Sequence, residues 1–101
     1  MRFLLQATVP TEVGNAKVKD GTVSDTLQAL LGVAKPEAVF FADGIRRTYM
    51  IVNVKDAAEL SLILEAWHLG FSADVEVNIA CTPEDADMAS ARIPEIVAKF
   101  A

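Results

Sequence analysis

The chain has 101 residues, room for one domain and not for two. Its formal charge is −5, and its nine Lys and Arg residues are scattered apart from the pair Arg46-Arg47. That excludes the basic face that nucleic acid or an anionic membrane surface requires. Cys81 is the only cysteine, which excludes an internal disulfide framework and any Cys-x-x-Cys site.

Residues 2–9 are rich in β-forming side chains and stop at Pro10, which predicts a first strand. The apolar run at this end is too short for a signal peptide, and no stretch approaches a membrane span. The expected location is cytoplasmic. Residues 10–21 hold Pro10, Gly14, Asn15, Asp20 and Gly21 and read as a loop, with one helical turn after Thr11. A loop of that length in a compact domain is often functional.

Residues 22–35 predict a helix capped by Thr22, with Val23, Leu27, Leu30, Leu31 and Ala34 as one apolar stripe. Pro36 blocks its continuation. Residues 37–42 and 45–54 read as strands 2 and 3, joined by a two-residue turn at Asp43-Gly44. A second long helix begins near Asp56 and runs to about Leu69. Its buried stripe is Leu60, Ile63, Leu64 and Trp67, and Gly70 suits its C-terminal cap. Residues 73–81 form strand 4. Thr82 and Pro83 then start a short helix, interrupted near Pro94 and followed by an apolar turn through Ile96, Val97 and Phe100.

The order βαββαβ predicts an α+β, ferredoxin-like domain spanning residues 1–101. Its antiparallel sheet would have the order 4-1-3-2, with both long helices on one face and an extra short C-terminal helix. The two-residue turn would pair Ala42 with Ile45, Phe40 with Arg47, and Ala38 with Tyr49. Side chains alternate between the faces of a strand. The helix-covered face then carries Phe3, Leu5, Ala7 and Val9, with Val75, Val77, Ile79 and Cys81 from strand 4. The other face mixes Leu4, Phe40, Tyr49 and Ile51 with Gln6, Thr8, Arg47, Asn53, Glu76 and Asn78. Such a mixture suits partial burial around a cavity, where a few polar groups orient a ligand between apolar walls. An apolar content of 52% also predicts that another chain covers part of the surface.

The opening strand from Met1 to Pro10 and the run from Arg47 to Asp56 resemble the dimeric α/β-barrel superfamily. The pieces Gly14-Asn15, Lys19-Asp20-Gly21 and Lys35-Pro36-Glu37-Ala38 resemble those of small bacterial proteins without assigned function. The superfamily includes muconolactone isomerases, antibiotic-biosynthesis monooxygenases and stress-responsive barrel proteins. The resemblance implies a homodimer whose two sheets stack face to face around a pocket. It transfers no catalytic residue, because no catalytic motif is matched.

The candidate residues therefore come from chemistry. Arg47 offers a planar fork of donors and Tyr49 a phenol, together suited to a small organic anion. Gln6, Thr8, Phe40, Asn53 and Asn78 complete the expected binding face. Glu76 is the candidate base, a role that requires its burial. The alternative for Arg47 is an ion pair with Glu76 while lying on Phe40. His68 is the only histidine and an acid/base candidate. Its place in the last turn of a helix also has a purely structural reading, through the helix dipole. Cys81 reads as an inert buried thiol. No metal site is expected, since no second histidine or spaced carboxylate pair accompanies His68, and no cofactor is implied. The leading function is a small cofactor-independent isomerase or monooxygenase-like enzyme acting on a hydrophobic or aromatic acid. The alternatives are a non-catalytic ligand-binding or regulatory homodimer of the same fold, and a structural homodimer without a ligand.

Overall fold

The computed structural model describes residues 1–42 and 44–101. In chain order they form β1 (Arg2–Thr8), α1 (Thr11–Asp20), α2 (Val23–Ala34), β2 (Ala38–Ala42), β3 (Arg47–Asn53), α3 (Ala57–Phe71), β4 (Asp74–Ile79) and α4 (Pro83–Phe100). The four strands pair antiparallel in the order β2-β3-β1-β4. This is the predicted sheet read from its other edge. The class is α+β, and the sheet is compatible with a ferredoxin-like fold.

The central strands explain the core. Leu5 and Ala7 on β1, and Thr48, Met50 and Val52 on β3, are buried at every second position. Period-two burial is what a sheet covered on one face requires. α2 contributes Leu30 and Ala34 to this core, and α3 contributes Ile63, Trp67 and Phe71. Trp67 and Phe71 stack with ring centroids 5.9 Å apart. α3 starts where predicted, because the Asp56 carboxylate accepts the Glu59 N–H at 2.8 Å. It runs beyond Gly70 and ends at Ser72, which takes the left-handed cap with φ 51°. Gly70 lies inside the helix and faces α2, where a Cβ would come into contact with Leu30 and Thr26 at 3.4 Å.

Residues 11–20 form a ten-residue helix rather than a loop. Local propensity is poor there, so tertiary contacts decide. Arg46 reaches from the β2–β3 connection and donates to the Thr11 carbonyl at 3.1 Å and to Asn15 Oδ1 at 2.8 Å. Gly14 makes space for that guanidinium, because a Cβ on it would lie 2.5 Å from Arg46 Nη1. Lys17 lies over the Phe71 ring, 5.5 Å from its centroid. Gly21, at φ 78°, ends the helix. α2 begins after Thr22, whose side chain makes no capping bond to the helix. The Thr22 hydroxyl donates instead to Asp20 at 2.6 Å, which holds that carboxyl below its ordinary range.

The β2–β3 connection is longer than expected. Ala42 pairs with Arg47, Phe40 with Tyr49, and Ala38 with Ile51, so the register is displaced by two residues. Asp43, half of the predicted turn, lies outside the described residues. Ile45 stays off the β2–β3 ladder, while the Arg46 carbonyl beside it accepts the Val9 N–H at 2.8 Å and so carries the β1–β3 contact one residue further. An even displacement leaves every side chain on its predicted face.

Three expectations fail at the C-terminal side. β4 is an edge strand whose helix-side residues are only partly covered: Val75 is half-buried, Val77 is exposed and Ile79 is 66% exposed. Cys81 is exposed as well, so it is not a buried thiol. The segment after Thr82 is one continuous helix of 18 residues that passes through Pro94. Its start is strongly specified. Thr82 Oγ1 accepts the Asp85 N–H at 3.1 Å, and Asp85 Oδ2 accepts the Thr82 N–H at 3.0 Å. None of its residues is buried, and the molecule is accordingly elongated, 59 × 26 × 19 Å. No helix among the described residues is long and apolar enough to cross a membrane.

Candidate functional site

The strand registers bring most of the candidate residues onto one surface, the sheet face opposite the helices. Phe40, Tyr49, Gln6 and Glu76 form one row across all four strands. Beside it run Ala42, Arg47, Thr8 and Asp74 on one side, and Ala38, Ile51, Leu4 and Asn78 on the other. Phe40 is 70% exposed, Leu4, Glu76 and Asn78 are exposed, and Gln6, Tyr49 and Arg47 are half-buried.

Arg47 is fixed by neutral partners on the neighbouring strand. Its Nε donates to Thr8 Oγ1 at 2.9 Å. With the Gln6 amide turned so that its oxygen faces the guanidinium, that oxygen accepts from Arg47 Nε and Nη1, both at 3.3 Å. Glu76 stands opposite Gln6 on the far side of β1. Among the described residues Arg47 makes no ion pair with Glu76 and does not stack on Phe40. The two oxygen acceptors orient the guanidinium, and among the described residues no carboxylate forms an ion pair with it, an arrangement suited to an incoming carboxylate.

Asn53 shares this face, one row beyond Ile51, whereas His68 stands apart from it. Asn53 lies at the end of β3 and accepts a hydrogen bond from the N-terminal ammonium at 3.0 Å. His68 is exposed on α3, in the helical layer, with its Nδ1 2.9 Å from the Ala73 carbonyl oxygen. That contact ties the last turn of α3 to the start of β4. The geometry therefore does not bring His68 together with Tyr49 and Glu76. No group of three potential metal ligands occurs among the described residues.

No protein-family model matches this chain, and no curated protein matches it. The site is thus read from its own geometry.

A second concavity lies on the helical side of the sheet, with a volume of about 280 Å³. Val18, Leu27, Phe41, Trp67 and Phe71 form its apolar walls, with Arg46 and Arg47 also at its lining. Val18 and Phe41 are more than half exposed, so the cavity opens to solvent. Trp67 is 1% exposed, and its buried indole N–H has no hydrogen-bond partner among the described residues. Such donors usually find an acceptor. Sequence reasoning missed this cavity because α1, which supplies one wall, read as a loop. The signal that could have found it is Trp67 itself, a buried-stripe residue with a polar atom to satisfy.

Proposed function

We propose that this chain is a homodimeric binding protein of the dimeric α/β-barrel type, holding a small hydrophobic or aromatic acid between two sheet faces. The supporting observation is the oriented guanidinium of Arg47, bonded to Thr8 and Gln6 beside Tyr49, on a sheet face that also exposes Leu4 and Phe40. An open sheet is too flat to enclose a ligand. A second copy across it would supply the opposite wall and cover the apolar side chains. Tyr49 and Glu76 flank Gln6 in one row, so isomerase-like or monooxygenase-like chemistry without a cofactor is the catalytic extension of this reading. Covering by the second sheet would also supply the burial that Glu76 needs as a base.

The test is a thermal-shift screen of aromatic and aliphatic carboxylates, followed by titration of hits against Arg47→Met. Loss of roughly 2–5 kcal/mol of affinity is expected, the range for removing one partner of a buried charge pair. Sedimentation should show self-association at micromolar concentration that Phe40→Asp weakens. A monomer, or a broad screen without a hit, would overturn the reading.

A second reading places the ligand in the helical-side cavity, favoured by the unpartnered Trp67 N–H. Binding that is lost in Trp67→Phe and unchanged in Tyr49→Phe would select it. The reverse pattern selects the sheet face.

A further inference from the structure

α4 presents an apolar seam that its own chain does not bury. Ala86, Ala89, Ile93, Ile96 and Phe100 are spaced by three, four, three and four residues, the heptad rhythm of paired helices. Ile93 and Ile96 are about half exposed and Phe100 is 82% exposed. An isolated helix of this length is marginal in water, the more so with a proline inside it. A continuous 18-residue helix with no buried residue therefore calls for an external partner.

The seam itself says which partner fits. Its N-terminal half is small, Ala86 and Ala89, and its C-terminal half is large, Ile93, Ile96 and Phe100. A parallel copy would set isoleucine on isoleucine and alanine on alanine, leaving gaps at one end. An antiparallel copy sets Ile93 on the partner's Ala89, Ile96 on the partner's Ala86 and Phe100 beside the partner's Thr82. Large then meets small along the whole seam, as close packing demands. Charge follows the same polarity. The first turns carry Glu84, Asp85 and Asp87, and the last turn carries Lys99. Asp85, Arg92 and Lys99 flank the seam at seven-residue intervals. Antiparallel pairing brings Asp85 against the partner's Lys99 at both ends. Arg92 would meet the partner's Arg92 near the two-fold axis, but each is already compensated by its own Glu95, with Nη2 3.1 Å from Oε2. Opposed helix dipoles favour the same direction. Pro94 falls on the flank away from the seam.

We propose that α4 of one chain pairs antiparallel with α4 of a second copy through this seam. The pairing does not depend on the sheet-face reading, and Phe40→Asp, which tests that face, leaves it untouched.

Disulfide trapping tests both contact and direction. In a Cys81→Ser background, the pair Ala86→Cys with Ile96→Cys should give a covalent dimer under mild oxidation. Either substitution alone should give little. The two sites lie about 15 Å apart along one helix, too far for a bond within a chain. Cross-linking by Ala86→Cys alone would mean parallel pairing and overturn the proposal, as would no cross-linking by the pair. Charge reversal gives an independent readout. In a Phe40→Asp background, which removes the sheet-face contact, Asp85→Lys and Lys99→Asp should each weaken association several-fold by sedimentation, and the double variant should restore it. No rescue would overturn the antiparallel register. Circular dichroism should show the melting of the β1–α3 core unchanged in all these variants.

Discussion

The layer of β1, β3, α2 and α3 and the segment from β4 through α4 carry similar apolar patterning, yet only the first is buried. On β3, alternation places Met50 and Val52 at 1% and 0% exposure. On β4, the same alternation leaves Ile79 in solvent. α3 buries Ile63, Trp67 and Phe71, whereas α4, with an equally regular stripe, buries nothing. Periodicity determines which residues share a face. Whether that face finds a cover depends on neighbours that a single chain need not supply.

The difference can be broken most sharply by truncating one side chain in each region. Ile63→Ala should lower the unfolding free energy by about 2–5 kcal/mol, read by urea denaturation. Ile96→Ala should change it by less than about 0.5 kcal/mol at concentrations where the chain is monomeric. Equal losses would mean that α4 belongs to the core.

Phe40→Asp comes next. It places a charge on the open sheet face and should weaken sheet-face dimerisation more than about tenfold, with little effect on the melting of the monomer. Leu60→Ala, which alters the partly buried stripe of α3, should do the reverse.

A smaller effect is expected at α1. Arg46→Met removes two side-chain hydrogen bonds to α1 and should cost about 1–2 kcal/mol. The loss should appear as faster hydrogen exchange across residues 11–20, with the β1 and β3 amides still protected. Global acceleration would mean that α1 and the core form one cooperative unit.

The smallest effect concerns acid. Asp85 accepts a hydrogen bond from the Thr82 backbone N–H, the main influence that holds its carboxyl below the ordinary 3.8. A lowered value in the folded state means that its contribution is complete above 3.8 and lost as pH falls through the depressed value. Helical dichroism from α4 should decline there while the core persists, and Asp85→Asn should remove that step.

The sheet was legible because strand parity survives errors in turn length. Reading a two-residue turn instead of the longer link set Phe40 against Arg47, where the observed partner is Tyr49, yet Gln6, Thr8, Arg47, Tyr49 and Glu76 still share the face assigned to them. α1 was not legible, because the bonds that support it come from Arg46, more than thirty residues away. The continuity of α4 was hidden by Pro94. That residue removes one backbone donor, and the carbonyl it frees on an exposed helix can bond to water. The exposure of Cys81 was missed because β4 ends at Ile79, itself 66% exposed, which leaves Cys81 beyond the strand rather than on its helix-covered face.

The lock between Arg46 and Gly14 has a consequence for the order in which the chain acquires its structure. α1 is a local helix held by contacts of long sequence separation, so its stabilising bonds cannot form before the β2–β3 link is in place. During folding it should therefore be a late element, with mutations at Asn15 or Gly14 changing the unfolding rate far more than the folding rate. In the native state it should also open before the sheet core does. A wall of the helical-side cavity would then come and go without the sheet being disturbed.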